Sequence, residues 1–454
     1  MTECNQSSFG FEASGKREIV ARFDGGTIST DGGAFLLRQT DKRLNLLPRL
    51  ANSFLDGRDQ DQVKHSVLEM LSQRIYGLAL GYEDLNDHEQ LRKDPVFGIL
   101  AGREELSEPL AGKSTLNRLE LGTAAKDRYK KITFWKQGVD ELLVDVFLES
   151  YDTPPAEIVL DVDTTDLPLH GKQEGRFFHG YYDSYCYLPL YVFCGDQILC
   201  ARLREANHDA AFGCLEEIAR IVAQMRRKWP AVRIILRGDS GFCRNQLMGW
   251  CESNQVDFVF GLARNQRLRK IIGAEMHQAT EQWTQTGKPA RVFRDFRYQT
   301  RKTKKGGWDC QRRVAAKAEH IDGKENPRFV VTSLSEAEWP AQQLYEELYC
   351  ARGDMENRIK EQFSLFADRV SSETIRSNQL RLYLSSMAYI LVSGLRRLGL
   401  QATELADAQV STIRTKLLKI GAQIRVTVRK VWVSMASSYP WQDLYQQVWT
   451  NLRC

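Results

Sequence analysis

Hydrophobic positions recur along this chain at two different spacings, which divide it into helical and β-rich stretches. From Ala34 to about Leu80, and again from Leu85 to Leu119, they recur mostly every three or four residues, as on one face of a helix. This pattern predicts a mainly helical N-terminal domain over residues 1–150.

The pattern changes at Pro154-Pro155, after which short β-branched runs alternate with helical periods. It predicts three strands, a helix, a strand, a helix and a strand, in the segments Glu157–Thr165, Tyr185–Cys194, Gln197–Leu203, Ala210–Arg227, Val232–Leu236, Asn245–Asn254 and Phe258–Leu262. This is the order of an RNase-H-like (retroviral-integrase-like) α/β core, and we assign residues 151–263 to its first part.

The remaining chain divides into three segments. Residues 264–338 are basic and rich in β-formers, and they interrupt the core, because a strong helical pattern returns at Leu344–Phe366. We call residues 264–338 the insertion segment. Residues 339–370 then supply a core helix, and residues 371–454 form a basic C-terminal region.

Composition and charge narrow the functional classes. With 454 residues, 43% hydrophobic and 27% charged, the chain is expected to fold, and no apolar run reaches the roughly 20 residues of a membrane span. We therefore expect a cytoplasmic protein with no membrane partner. The net charge is only +5, but Arg264–Lys324 holds 16 Lys/Arg against 6 Asp/Glu, and Ser371–Lys430 holds 10 against 3. Two basic blocks indicate a polyanionic partner.

Several common sites are excluded by motif. The chain has no phosphate-binding G-x-x-x-x-G-K-[ST] or G-x-G-x-x-G sequence, no G-x-S-x-G nucleophile turn and no H-E-x-x-H. Its ten cysteines lie singly, without the spacing of a zinc site, so we expect reduced thiols.

Carboxylates at predicted strand ends are the outstanding candidates. In Ile158–Thr165 the period of two places Asp161 and Asp163 on one strand face, where two charges need a cation nearby. Asp239 follows another apolar strand and lies between glycines, although an aspartate there can also be a helix N-cap.

A helical stripe follows the insertion segment. Tyr349, Arg352, Glu356 and Lys360 lie three or four residues apart, which by itself also fits an ion-paired surface helix. Combined with two strand-end aspartates, Glu356 would complete three hard oxygen ligands of the kind that Mg²⁺ uses in phosphoryl transfer.

Together these motifs resemble a DDE transposase of a bacterial insertion sequence. The resemblance rests on Tyr349-x-x-Arg352-x-x-x-Glu356, Asp163-Thr164-Thr165, Gly238-Asp239 and the β-rich insertion segment before the glutamate. The run Leu160–Asp166, with His170-Gly171, Gly180-Tyr181-Tyr182 and Tyr187–Leu190, is similar to the insertion-sequence 1380 family in particular, over about Phe23–Leu444.

The resemblance implies a catalytic mechanism and roles for the site residues. Asp163, Asp239 and Glu356 would be the catalytic, metal-binding triad, with Asp161 as the alternative first ligand. Two Mg²⁺ ions, which Mn²⁺ could replace, would support in-line cleavage of the transposon end and strand transfer to target DNA. Arg352 would neutralise phosphate charge, and Tyr349 would contact a phosphate or pack. Related families often have a lysine seven residues after the glutamate, where this chain has Phe363. Either Lys360 takes its place as a phosphate contact, or no such lysine is used.

The resemblance also implies double-stranded DNA, transposon ends and target, as the partner, and a homodimer in the active complex. It makes the helical domain of residues 1–150 the expected DNA-binding domain. The insertion segment would hold DNA through a set of cations and one tryptophan: Arg301, Lys302, Lys304, Lys305, Arg312, Arg313 and Trp308. The Trp308 indole could stack on an unpaired base or pack on its own hairpin.

Two other functions stay open. An RNase-H-like nuclease would cut without strand transfer, and a DNA-binding protein derived from a transposase would not cut at all. The intact set of Asp163, Asp239 and Glu356 argues against the second, because a mere binder has no use for three carboxylates beside a polyanion.

Overall fold

The chain divides into two units, seen here in a computed structural model that describes residues 8–122, 129–301 and 307–453. Unit 1 combines the two ends of the chain, Met1–Phe134 and Met387–Cys454, and unit 2 is Trp135–Ser386.

The N-terminal part of unit 1 is helical, with short strands between the helices. Its described elements are β1 (Phe9–Ser14), β2 (Arg17–Ala21), β3 (Ile28–Ser29), α1 (Phe35–Leu44), α2 (Leu46–Ala51), β4 (Phe54–Asp56), α3 (Val67–Leu80), α4 (His88–Leu91), α5 (Pro95–Leu100), α6 (Lys113–Glu120) and β5 (Ile132–Phe134). The helix α3 is almost wholly buried, and the Ser66 side chain caps it by accepting a hydrogen bond from the Glu69 amide at 3.0 Å.

Unit 2 contains most of the strands. Its described elements are α7 (Lys136–Leu148), β6 (Glu157–Thr164), β7 (Leu167–Pro168), β8 (Phe177–His179), β9 (Ser184–Tyr187), β10 (Leu190–Cys194), β11 (Gln197–Arg202), α8 (Cys214–Lys228), β12 (Arg233–Gly238), α9 (Asn245–Ser253), β13 (Asp257–Leu262), α10 (Gln266–Ile271), α11 (Gly273–Thr286), β14 (Ala290–Tyr298), β15 (Arg312–Ile321), β16 (Lys324–Glu325), β17 (Arg328–Thr332), α12 (Ala341–Gln343) and α13 (Gly353–Phe363).

One large mixed sheet organises unit 2. Its strand order is β11-β10-β6-β12-β13-β17-β15-β14, with β16 paired to β15. The central strands β6, β12 and β13 are parallel to one another, and their neighbours on both sides are antiparallel. Since parallel strands end at the same edge of a sheet, residues that follow β6 and β12 are brought together there.

Both faces of this sheet are covered. Alternate residues of β6, Ile158, Leu160 and Val162, join a core with α7, α8 and α9. On the other face, Val159 and Ile235 pack against residues of the segment 341–349. The acidic positions of β6 lie on this second face, because side chains alternate along a strand.

The strands and helices predicted over residues 157–262 are confirmed, with one division. The predicted strand Tyr185–Cys194 is two strands, of which β9 belongs to a separate small sheet with β7 and β8. The insertion segment was expected to be β-rich, yet its first part forms α10 and α11. Its strands β17, β15 and β14 extend the central sheet instead of forming a sheet of their own.

The C-terminal elements complete the chain. They are α14 (Ile375–Gly399), α15 (Val410–Ile413), β18 (Ala422–Val426), β19 (Val431–Met435) and α16 (Gln442–Asn451). In unit 1, β18 pairs with both β19 and β3 to form a three-stranded sheet. Among the described residues, no helix combines the length and the hydropathy that crossing a membrane requires.

Candidate active site

The C-terminal end of β6 presents two aspartates with different partners. Asp161 is buried, and both of its carboxylate oxygens accept hydrogen bonds from Arg237, at 2.5 and 2.7 Å. Asp163 lies two residues further along the same face, where its Oδ1 accepts from the Thr164 amide at 2.8 Å and its Oδ2 from Arg352 at 3.0 Å. The two aspartates that the sequence could not separate therefore have different surroundings.

Asp239 lies beside Asp163 because of the strand register. Arg237 of β12 is paired with Asp161 of β6, so the next position on that face of β12 comes next to Asp163. Asp239 Oδ1 caps the short turn Ser240–Phe242 by accepting from the Gly241 amide at 2.8 Å. Its Oδ2 accepts no hydrogen bond from any described residue, so the capping role leaves one oxygen free.

The third acidic group comes from an irregular helix. Residues 341–363 pass from α12 through a π-helical turn, Leu344–Tyr349, and a 3₁₀ turn, Cys350–Arg352, into α13. Single π-helical turns within helices are frequent at functional sites. Glu356 is exposed on the first turn of α13, and its Oε1 accepts from Arg352 Nη2 at 3.3 Å.

Arg352 is the centre of the cluster. Its guanidinium contacts Asp163 and Glu356 directly, and the charge of Asp239 also acts on it. Burial lowers the pKa of Arg352, but these carboxylates outweigh that effect and raise it above its usual value. Arg352 is therefore the counter-ion of all three predicted triad residues.

The electrostatics of Asp163 reflect crowding of like charge. Burial is the main cause that raises its pKa to about 6, and the charges of Asp239 and Glu356 add to it, while Arg352 opposes them. Burial also raises the pKa of Asp161, against the effect of Arg237. A carboxylate that resists ionisation in this way would gain from a further cation nearby.

Tyr349 closes one side of the cluster. Its hydroxyl approaches Gly261 of β13 so closely that a Cβ on that glycine would lie 2.5 Å from the oxygen. Burial raises the pKa of Tyr349, and the Asp239 charge adds to that effect. Together with Ser240, Tyr349 lines a cleft of about 360 Å³, whose lining also includes Arg264 and Arg328.

The donor set suits a hard divalent cation in its chemistry, since all three acidic groups offer carboxylate oxygens. Across the described ranges, however, no three His, Cys, Asp or Glu side chains are grouped as metal ligands. The Arg352 guanidinium is the counter-charge that contacts Asp163 and Glu356 here. Cation binding by Asp163, Asp239 and Glu356 would require Arg352 to give up these contacts.

The residues predicted to contact DNA fall into different environments. Lys360 and Arg301 are exposed, whereas Lys302, Lys304 and Lys305 lie outside the described residues. The prediction for Arg312 and Arg313 needs correction, because they are only 2% and 6% exposed and form ion pairs with Glu252 and Asp295. Neither guanidinium can reach a phosphate without breaking those pairs.

Trp308 also requires correction as a base-stacking residue. It is 4% exposed and packs edge-to-face on Tyr298, with ring centroids 5.8 Å apart. Its backbone is held as well, because its amide donates to Thr300 Oγ1 at 2.8 Å. The alternative that Trp308 packs on its own hairpin is the one that the structure supports.

Two residues of the site carried no role in the sequence argument. The need for a cation near Asp161 was predicted, but Arg237, which supplies it, was not identified. Gly261 is the other, and its position inside a predicted strand was the available indication, because glycine in a strand often marks a close approach.

Comparison with known proteins places the chain in a family. No curated protein matches it significantly. Among solved structures, it is similar to the piggyBac transposase synaptic complex with hairpin DNA, with 9% identity and a TM-score of 0.40 over 86% of this chain and 80% of that one. The sequence model described as "Transposase DDE domain group 1" matches residues 11–454. This match covers nearly the whole chain, which therefore belongs to the transposase DDE domain group 1 family.

Proposed function

We propose that this protein cleaves transposon-end DNA and joins it to target DNA by in-line phosphoryl transfer at Asp163, Asp239 and Glu356. One observation carries the proposal: Arg352 directly contacts two of these carboxylates and is within electrostatic reach of the third. Family membership supports the assignment of these residues to the DDE motif.

The strand order supports an RNase-H-like core. The five strands from which this fold class was predicted lie side by side in the sheet, in the order β11-β10-β6-β12-β13. Only β6, β12 and β13 among them are parallel to one another. In this reading β17, β15 and β14 are the insertion segment's extension of that core.

Each site residue has a task in the proposed reaction. Asp163, Asp239 and Glu356 would hold Mg²⁺, which would supply Lewis-acid stabilisation of the phosphate and activation of the attacking oxygen. Arg352, once released from the carboxylates, would donate hydrogen bonds to the phosphate oxygens. Arg264 and Arg328 face the adjacent cleft and would hold the DNA backbone there.

The test is cleavage of the element's own end DNA in Mg²⁺ by wild type and by Asp239→Asn. We expect nicked or joined products from wild type and at least a hundredfold loss in the variant, with DNA binding retained, because the amide keeps its shape but binds hard cations poorly. Products that include target DNA would distinguish a transposase from a nuclease. Equal cleavage by Asp239→Asn would contradict the proposed site.

A further inference from the structure

The hairpin formed by β18 and β19 projects from a firmly held base. Ala422 and Ile424 are buried, and Ala422 pairs with Ser29 of β3. The tip is closed at Thr427, whose amide and hydroxyl both donate to the Lys430 carbonyl, at 2.9 and 2.7 Å. The hairpin therefore presents its outer half in a fixed shape.

The outer half carries positive charge without neutralising partners. Between Ala422 and Met435 there are three cations, Arg425, Arg429 and Lys430, and no acidic residue. All three are exposed, and in the described part of the chain none forms an ion pair with a carboxylate. Three uncompensated cations on one short hairpin form a local field that attracts a polyanion.

The insertion segment shows the contrast. Arg269, Arg291 and Arg294 are also surface cations, but each is paired with a glutamate: Glu325, Glu319 and Glu275. Each of these three guanidinium groups is thus already engaged by a carboxylate within the protein. The cations of the hairpin stay available.

Trp432 arranges two of these cations. It is the cross-strand partner of Arg425 and is 49% exposed. The Arg425 guanidinium lies 5.9 Å and the Lys430 ammonium 5.4 Å from its ring centroid. Such cation–π contacts hold the charged groups side by side. Because the two cations already contact the Trp432 ring, the indole would position cations for phosphates and would not stack on an unpaired base.

We infer that this hairpin, Ala422–Met435, binds double-stranded DNA, with Arg425, Arg429 and Lys430 on backbone phosphates. A two-stranded ribbon fits the B-DNA major groove, which is about 12 Å wide. Val428, fully exposed at the tip, gains no packing in water and would lie against the groove. The inference rests on the proposed function, because DNA is the substrate there.

The test is the salt dependence of binding to a labelled DNA duplex. Binding is measured by fluorescence anisotropy in the presence of EDTA. For Arg425→Gln/Arg429→Gln/Lys430→Gln, we expect a log-log slope shallower than wild type by about 2.7, or about 0.9 per phosphate contact. The matched control, Arg269→Gln/Arg291→Gln/Arg294→Gln, removes the same charge and should change the slope by less than one contact. Thermal unfolding should leave the hairpin variant near wild type, because its changed side chains are exposed.

Three outcomes would overturn the inference. They are an unchanged slope in the hairpin variant, an equal change in the control variant, and a loss confined to single-stranded DNA. Cleavage in Mg²⁺ separates this inference from the proposed function. If wild type cleaves DNA and the hairpin variant keeps the wild-type slope, only the inference is contradicted. If the hairpin variant loses binding but wild type does not cleave, only the proposed function is contradicted.

Discussion

Arg237 and Asp161 face each other on neighbouring parallel strands and form a buried ion pair, with Nε 2.5 Å from Oδ1 and Nη2 2.7 Å from Oδ2. Arg237 Nη1 also donates to the Leu348 carbonyl at 2.5 Å, which ties β12 to the segment that leads to Arg352. Asp161 is thus engaged in the packing of β6, β12 and this segment, whereas Asp163 is the aspartate that the proposed reaction would use.

The first prediction concerns this pair. Asp161→Asn should lower the free energy of unfolding by about 3 to 5 kcal/mol, because it leaves the Arg237 charge buried without its partner. Urea denaturation followed by circular dichroism measures the change. Asp163→Asn is the control and should not lower stability. An Asp161→Asn variant that keeps wild-type stability but has lost cleavage would return Asp161 to the catalytic set.

The second prediction follows from the pKa of Asp163, which is raised to about 6 in the folded protein from 3.8. The folded state then binds this proton more tightly than the unfolded state. Protonated Asp163 therefore contributes about 3 kcal/mol to the free energy of unfolding. This contribution is fully present below about pH 4 and is lost as the pH rises through about 6. Unfolding free energies of metal-free wild type, minus those of Asp163→Asn, should fall across this window. A flat difference would contradict the raised pKa.

The central strands and the acidic positions could be predicted because they depend on local pattern. Alternation in Ile158–Asp163 determines which residues share a face, and an apolar run before Gly238-Asp239 determines where a strand ends. The structure confirms those strands. The period of hydrophobic residues indicates which side chains share a face, because the buried face of a strand or helix requires apolar residues.

Long-range pairing could not be predicted in the same way. The association of Met1–Phe134 with Met387–Cys454, and the addition of β17 to the edge of β13, depend on contacts between distant segments.

The count of basic residues did not identify which of them are free to contact DNA, for a related reason. Arg312 and Arg313 look like DNA contacts in the sequence, but their carboxylate partners come from other elements that only the fold brings near.

The third prediction concerns Trp308. Trp308→Ala should lower the free energy of unfolding by about 3 to 5 kcal/mol, because it removes a large buried ring from the core. Thermal and urea unfolding measure this. Trp432→Ala, which changes an exposed tryptophan, is the matched control and should have little effect on stability. Rescue of Trp308→Ala by an abasic DNA substrate, with stability near wild type, would instead establish base stacking.

The last prediction concerns Arg352 as the counter-ion of the site. Its guanidinium contacts Asp163 and Glu356, so a divalent cation must compete with it for the same carboxylates. Arg352→Gln should therefore bind Mn²⁺ at least tenfold more tightly in the absence of DNA, because a unit charge a few ångströms away is worth several kcal/mol in a partly buried site. Isothermal titration calorimetry measures the affinity, and Arg352→Lys, which keeps the charge, should remain closer to wild type.

The same Arg352→Gln variant should cleave DNA more slowly in spite of its tighter cation binding, because it has lost the donor for the phosphate. Equal Mn²⁺ affinity in wild type and Arg352→Gln would show that the guanidinium does not compete for the carboxylates.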